Sequence, residues 1–520
     1  MPLSPPIASR RRLNGPVLPE PDPQLCRALA DDLRAAGYRS TALREAWGAQ
    51  ADDALARGLR RPAMRALGDR VDAVAVLGRL WGLGLPVARG DAEAALPRLR
   101  VSGAVSLGLV GVSGDAVTPA VLLRPQGFAD DRGEVEWWIA SDLDEAALEG
   151  PLPEDHVLGV GGASQTLARL QLTRRTRSAL DIGTGCGIQA LRLRRLVDRV
   201  VATDISERAL RFTRLNALVN GVDGIETRHG SLFEPVAGET FDRVASNPPF
   251  VITPRVAGVP AYEYRDAGLE GDDLVASVIR GVGAHLSPGG VAQSLGNWEY
   301  REGESGLDRV RGWIPEALDA WVIEREVLDP LAYAELWVRD GGTIPGTRAY
   351  ARLIDAWLDD FARRGVTGVG FGYVLLRKPL AGGPTLARYE RVTGGGEAGF
   401  GPHLAACLAA HDRVALLDDD GLAASVLRVA PDVTEARHHR PGEEDPTVIE
   451  LRQGGGFGRI VEVDPGLAAL VGACDGDLSV GVLIDAIAQL MEVDAEALRA
   501  DLLPRVRELL VTGFVGFADD

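Results

Sequence analysis

Residues 247–250, Asn-Pro-Pro-Phe, place hydrogen-bond acceptors directly after an apolar segment. The preceding run FDRVAS (241–246) is typical of a short buried strand, and a proline ends it because proline donates no backbone hydrogen bond. A rigid Pro-Pro turn would fix the Asn247 side chain and the Pro248 carbonyl, and both can accept the hydrogens of an NH₂ group. The ring of Phe250 could stack on a planar amide or base. We therefore predict Asn247, Pro248 and Phe250 as catalytic residues that orient a planar nitrogen.

A glycine-rich loop lies between a predicted strand and a predicted helix in ALDIGTGCGIQAL. Gly183, Gly185 and Gly187 would let the backbone turn sharply and approach a ligand closely. A dinucleotide fingerprint would have glycine or alanine where Ile188 stands. The loop therefore favours a ligand without a pyrophosphate.

Polar groups follow the neighbouring predicted strands. Asp204 ends the strand VVATDI, where a carboxylate can accept from both hydroxyls of a ribose. Ser231 and Leu232 end the third strand, in a suitable place for an adenine edge. The predicted ligand-binding residues are Asp181, Gly183, Gly185, Gly187, Asp204, Ile205, Ser231, Leu232 and Asn247.

These elements resemble the S-adenosylmethionine-dependent methyltransferases of the Rossmann-like class over about residues 155–300. The segment LSPGGVAQSLGNW is similar to a later strand of that class. The resemblance implies S-adenosylmethionine as the cofactor, S-adenosylhomocysteine as its product, and no metal. In HVLGVGGASQTLARL, it also suggests that Ser164 and Thr166 contact the amino-acid end of the cofactor, although a simple helix cap explains them equally well.

The Asn-Pro-Pro-Phe segment is similar to the (Asn/Asp)-Pro-Pro-(Tyr/Phe) signature of methyltransferases that modify planar nitrogens. The following VITPR and YEYRDAGLEGDDLV look more like the HemK/PrmC-type protein-glutamine enzymes. This resemblance implies a protein substrate, with a glutamine side-chain amide as acceptor, as in a release factor. A partner subunit is not indicated. The alternative is an RNA methyltransferase acting on an exocyclic amino group of guanine or adenine, since Phe250 also occurs in the RNA enzymes. A cofactor-binding regulator without activity is a third interpretation.

Composition limits the possible partners. The 520 residues carry a net charge of −18, which argues against a nucleic-acid binder that uses its whole surface. Residues 1–100 nevertheless hold 16 arginines and 11 acidic residues, so an RNA target would be contacted by Arg60, Arg61 and Arg65. Four scattered cysteines suit a reducing compartment and no structural zinc. Neither a signal peptide nor a membrane-length apolar run is found, so a cytoplasmic protein without membrane contact is expected.

The order of predicted elements indicates an α/β fold. Alternating strands and helices over 151–378 predict a doubly wound, mostly parallel, seven-stranded Rossmann-like sheet, which forms the methyltransferase domain. The flanking predictions are a flexible Pro-rich arm (1–23), a helical domain (24–96), a small antiparallel β region (97–150) and a C-terminal domain (379–520), whose helix–helix–GFVGF ending suggests a winged-helix-like module. In the last of these, Leu483, Ile487 and Leu490 are predicted to form one buried stripe.

Overall fold

The computed structural model describes residues 18–130, 133–148, 152–153, 155–256, 259, 268–393 and 399–519. Residues 1–17 of the predicted Pro-rich arm lie outside these ranges. So do residues 257–258 and 260–267, which include the beginning of the predicted acidic segment after Phe250.

The N-terminal part is mainly helical up to residue 106. Its helices are α1 Pro23–Ala36, α2 Ser40–Trp47, α3 Ala49–Leu55, α4 Arg61–Leu67, α5 Ala73–Leu77, α6 Arg89–Ala95 and α7 Arg100–Ser106. A π-helical turn, Gly78–Gly82, follows α5. Asp22 begins α1 by accepting hydrogen bonds from the backbone N–H groups of Gln24 and Leu25, which have no helical partners.

Two small antiparallel sheets complete this part. Strands β1 Val87–Ala88, β2 Val110–Ser113 and β3 Ala116–Pro119 pair in the order β1-β3-β2, whereas β4 Leu122–Asp130 and β5 Gly133–Ser141 form a separate hairpin. The sequence predicted one sheet over 97–150. The structure instead has two sheets and helix α7, because Val101 and Ala104 are buried on one helical face.

An eight-stranded sheet forms the centre of the molecule. Its strands are β6 Thr176–Ile182, β7 Val197–Asp204, β8 Ile225–His229, β9 Phe241–Ser246, β10 Leu286–Arg301, β11 Asp319–Leu328, β12 Val366–Arg377 and β13 Ala387–Arg391. The surrounding helices are α8 Glu145–Leu148, α9 Gly162–Leu170, α10 Ile188–Arg194, α11 Glu207–Val219, α12 Asp273–Val282, α13 Gly306–Trp313, α14 Pro330–Asp340 and α15 Arg348–Arg363. Two short 3₁₀ turns, Glu234–Val236 and Gly283–His285, lie between them.

The strand order is β13-β11-β12-β10-β9-β6-β7-β8. Strands β10, β9, β6, β7 and β8 are parallel neighbours, while β12 runs antiparallel to β10 and β11. The predicted doubly wound, mostly parallel sheet is therefore confirmed, and an eighth strand joins the seven from 151–378. Because β6 lies between β7 and β9, the connections diverge at β6, and ligands bind at such switch points beyond the carboxyl ends of the strands.

The C-terminal part combines five helices with two three-stranded sheets. The helices are α16 Phe400–Val414, α17 Asp419–Ala424, α18 Pro465–Ala473, α19 Val480–Met491 and α20 Ala495–Thr512. The strands are β14 Val426–Val429, β15 Val433–His439, β16 Pro446–Gln453, β17 Ile460–Val463, β18 Asp475–Ser479 and β19 Val515–Phe517. They pair in the orders β18-β14-β19 and β15-β16-β17.

The predicted stripe on α19 is only partly correct. Leu483 and Ile487 are buried, but Leu490 is 83% exposed. Residues 489–494 are all exposed, so the end of this helix extends beyond the core. All four cysteines are buried free thiols. Among the described residues, no helix has the length and apolar character needed to span a membrane.

Candidate active site

The carboxyl ends of β6, β7 and β9 open into a cavity of about 320 Å³. Several chain segments form its wall, including 156–159, 203–206, 230–232 and 246–249. Eight of the predicted residues line it: Gly183, Gly185, Asp204, Ile205, Ser231, Leu232, Asn247 and Pro248. Three others, Asp181, Gly187 and Phe250, are not among its lining residues.

The glycine loop turns through the left-handed region of backbone space. The φ angles of Gly183, Gly185 and Gly187 are 68°, 56° and 85°. A Cβ atom on Gly187 would also lie 2.9 Å from Oγ1 of Thr213, so α11 packs too closely for a side chain there. Gly187 thus allows the loop to pack closely on α11 and does not itself line the cavity. The backbone N–H groups of Gly183 and Thr184 donate to the Thr203 carbonyl and fix the loop to the end of β7.

Asp204 joins the loop to the start of α11. Its Oδ2 accepts from the Gly185 N–H at 2.9 Å, and its Oδ1 accepts from the Ser206 N–H at 2.9 Å. Burial raises the pKa of this carboxyl above its ordinary value, and the backbone N–H donors only partly offset that effect. Each carboxylate oxygen has a second lone pair, so both retain the capacity to accept from a ribose hydroxyl.

Asp181 lies beneath the loop. Its side chain is buried, its Oδ2 accepts from the Thr184 hydroxyl at 2.7 Å, and its Oδ1 has no hydrogen-bond partner within the described ranges. Burial raises the pKa of this carboxyl to about 7. Asp181 does not line the cavity itself, but its hydrogen-bond partner Thr184 does. Its predicted contact with a cofactor stays a prediction.

Asn247 lies at the cavity wall, one residue beyond the end of β9. Its Nδ2 donates to the Ser164 hydroxyl at 3.3 Å, while its Oδ1 is buried and has no hydrogen-bond partner in the part of the chain that the structure describes. Ser246, just before it, donates from its hydroxyl to the Ile182 carbonyl and ties the end of β9 to the end of β6. The strand ends therefore hold an acceptor oxygen, still without a donor, beside the glycine loop.

Phe250 belongs to an aromatic cluster. Its ring centroid lies 5.6 Å from that of Phe371 and 6.4 Å from that of Trp337. The next residues are held by Tyr333, whose hydroxyl oxygen accepts from the Ile252 N–H at 3.1 Å. The ring of Phe250 thus packs against other aromatic rings of the protein. Its predicted stacking on the acceptor group stays a prediction.

The segment before β6 contributes more residues to the cavity wall than the sequence predicted. Ser164 lines the cavity but Thr166 does not, and His156, Val157, Leu158 and Gly159 also line it. Burial lowers the pKa of His156. Helix α12 adds Leu274 and Val278 on the other side. None of these wall residues carries a motif. The one available signal, a position upstream of the first strand of the sheet, applies to residues 156–159 but not to Leu274 or Val278.

Asp142 holds this wall in place from the end of the β4–β5 hairpin. Its Oδ2 accepts from the Val157 N–H at 2.8 Å, and its own N–H donates to the Val157 carbonyl at 3.1 Å. The Arg208 guanidinium binds both carboxylate oxygens of Asp142. Since Arg208 lies in the first turn of α11, one carboxylate connects the N-terminal hairpin, the cavity wall and the helix that follows Asp204.

Comparison with known proteins identifies the central part of the chain. Residues 159–258 match the family model described as methyltransferase small domain. Two further models, described as domains of unknown function (DUF7059 and DUF7782), match residues 35–120 and 408–516.

Three curated relatives show the extent of the similarity. A release factor glutamine methyltransferase of Deinococcus radiodurans is 34% identical over 166 residues, which is 30% of this chain and 57% of the relative. The same enzyme of Xylella fastidiosa is 33% identical over 30% of this chain and 58% of the relative. A ribosomal protein uL3 glutamine methyltransferase of Bradyrhizobium diazoefficiens is 32% identical over 27% and 46%. The chain thus spans about half the length of these relatives.

A solved structure gives a weaker likeness. The ribosomal protein L11 methylase of Lactobacillus delbrueckii subsp. bulgaricus aligns with a TM-score of 0.21 and 22% identity, over 27% of this chain and 62% of that protein.

Proposed function

We propose that this protein transfers a methyl group from S-adenosylmethionine to the side-chain amide nitrogen of a protein glutamine. The observation that carries the proposal is Asn247, which lines the cavity and whose buried Oδ1 has no hydrogen-bond partner among the described residues. A buried polar atom without a partner is costly, so an amide hydrogen of a substrate would satisfy it. The relatives named as glutamine methyltransferases supply the acceptor class.

The cavity residues fit the cofactor. No lysine or arginine is among the described residues that line the cavity, which suits a nucleoside ligand better than a pyrophosphate. Asp204 would hold the ribose, Ile205 and Leu232 would contact the adenine, and the loop at 183–185 would pass close to the ligand. When bound, S-adenosylmethionine supplies an activated methyl group on its sulfonium.

The chain's own contribution to the transfer is positioning. Oδ1 of Asn247 and the carbonyl oxygen of Pro248 would accept the two hydrogens of the acceptor amide, which fixes the direction of the nitrogen lone pair. These hydrogen bonds also polarise a nitrogen whose lone pair is otherwise delocalised into the amide. No side chain has to remove a proton beforehand, because the methylated nitrogen is acidic and releases its proton afterwards.

The surroundings of the site favour a protein acceptor over RNA. A nucleotide carries a phosphate beside the reacting base, and the described cavity wall provides no lysine or arginine for it. Phe250, which motivated the RNA alternative, packs on Phe371 and Trp337.

Methyl transfer from labelled S-adenosylmethionine to a cell lysate tests both acceptor classes. The expected result is a label that survives ribonuclease and is lost on proteolysis. Extended peptides that contain glutamine should compete, whereas the same peptides with leucine in place of glutamine should not. A label that ribonuclease removes would overturn the protein acceptor, and steep inhibition by moderate salt would point the same way.

Asn247→Ala provides the matched control. It should bind S-adenosylhomocysteine as the wild-type protein does and label the lysate at least about a hundredfold more slowly, which separates loss of transfer from loss of cofactor. If the wild-type protein binds S-adenosylhomocysteine but transfers no methyl group to any acceptor, the enzymatic function is rejected.

A further inference from the structure

Among the described residues, a single hydrogen bond orients the side-chain amide of Asn247. An asparagine carboxamide presents either two donors or an acceptor to a ligand, and the hydrogen bonds around it decide which. Here the Nδ2 group donates to the Ser164 hydroxyl, which assigns the other position of the amide to Oδ1, an acceptor without a partner among the described residues. A flipped amide would present its NH₂ group to the NH₂ group of an acceptor, and two donors cannot bond to each other.

Ser164 is in turn held by two buried glutamines. Gln189, in the first turn of α10, donates from Nε2 to the Ser164 carbonyl at 2.7 Å. Gln171, directly after α9, donates from Nε2 to Oε1 of Gln189 at 2.7 Å. Gln171 and Gln189 are only 1% and 3% exposed. The two hydrogen bonds of Gln189 therefore join the first turn of α9 to the residue after its last turn, and they fix this helix against α10.

We infer that Ser164, Gln189 and Gln171 are positioning residues that keep Oδ1 of Asn247 directed at the acceptor nitrogen. This inference rests on the proposed methyltransferase function. Gln171 is the most informative member, because it does not line the cavity and its side-chain hydrogen bond leads to Asn247 through Gln189 and Ser164. Ser164 and Gln189 do line the cavity, so their substitution also tests a direct contact with the cofactor.

The test uses the full chain with Gln171→Met, Ser164→Ala and the conservative Ser164→Thr. We expect Gln171→Met and Ser164→Ala to lower kcat by about tenfold to a hundredfold, the scale of a misplaced reacting group, with the KM for cofactor little changed. Ser164→Thr, which keeps the hydroxyl, should recover most of the rate. Arg169→Ala, an exposed position on the same helix, is the matched control and should be neutral.

A double-mutant cycle separates positioning from a general structural effect. If Ser164 and Gln171 act through Asn247, then adding either substitution to Asn247→Ala should lower kcat no further. Additive losses, or a rise in the dissociation constant of S-adenosylhomocysteine that matches the fall in rate, would overturn the inference.

Hydrogen–deuterium exchange provides a readout that needs no turnover. Gln171→Met should increase exchange at residues 162–170 and 247–253, whereas Arg169→Ala should not. If the wild-type protein transfers no methyl group but the exchange difference is seen, the proposed function is rejected. The connection from Gln171 to Asn247 is then still supported. Unchanged exchange in Gln171→Met would overturn the connection whatever the activity.

Discussion

The side-chain amide of Asn216 donates from Nδ2 to the carbonyl oxygen of Cys186, at 2.8 Å, in the centre of the glycine loop. The same amide also bonds to both backbone groups of Ala140, on strand β5 of the N-terminal hairpin. Asn216 is fully buried. One residue of α11 thus connects the loop that lines the cavity to the N-terminal part of the chain.

Asn216→Ala is expected to lower both stability and cofactor affinity. The change leaves buried groups of Ala140 and Cys186 without partners, and each such group costs about 1–3 kcal/mol. Urea unfolding should therefore show a loss of at least about 2 kcal/mol, and calorimetry should show weaker binding of S-adenosylhomocysteine. Asn220→Ala is the matched control, because Asn220 bonds to the backbone of Trp138 in the same strand and does not line the cavity. Equal cofactor affinity in both variants would contradict a role for Asn216 in the loop.

Asp204→Ala is expected to weaken binding of S-adenosylhomocysteine by roughly 1–3 kcal/mol, the scale of lost charge-assisted hydrogen bonds. Part of the loss reflects the loop, since Asp204 also accepts from the Gly185 N–H. Calorimetry measures the change, and Asp198→Ala, at an exposed position on the same strand, should leave the affinity unaltered. An unchanged affinity for Asp204→Ala would show that the ribose lies elsewhere.

Asn247→Ala is expected to retain its affinity for the cofactor and to lose at least about a hundredfold in kcat, because the interaction is made with the acceptor in the chemical step. Single-turnover measurements with labelled S-adenosylmethionine would separate transfer from product release. Asn247→Asp, which keeps an acceptor oxygen at the Oδ1 position, should retain more of the rate than the alanine variant. Normal turnover in Asn247→Ala would exclude the positioning role.

The sequence predicted the centre of this molecule better than its edges. The strands around Asp204 and Asn247 are short apolar runs ended by turn residues, so their type, order and shared edge follow from local pattern. The cavity wall at 156–159 was missed because Asp142, from a separate hairpin, determines its position. Strand β13 was missed because Arg388 and Glu390 look like surface residues, and their burial depends on ionic partners more than 65 positions away.

The ion pair between Glu390 and Arg459 makes the stability of the fold depend on pH. Glu390 accepts hydrogen bonds from both terminal nitrogens of Arg459, each at 2.7 Å, and from Arg388 at 2.8 Å. Burial alone would raise the pKa of Glu390, but the two guanidinium groups outweigh it and lower the pKa from 4.5 to about 2. Since the carboxyl binds its proton more weakly in the folded state, its stabilising contribution is present above pH 4.5 and is lost as the pH falls through 2.

Glu390→Gln is therefore expected to be less stable than the wild-type protein by about 3 kcal/mol at pH 7, the equivalent of the lowered pKa. The difference should shrink steadily as the pH falls from about 5 towards 2, since protonation removes the same charge from the wild-type side chain. Urea unfolding of both proteins at each pH measures it, and Glu462→Gln, at an exposed position on β17, should show no such trend. A stability difference that stays constant across this range would show that the Glu390 charge does not hold the C-terminal part to the central sheet.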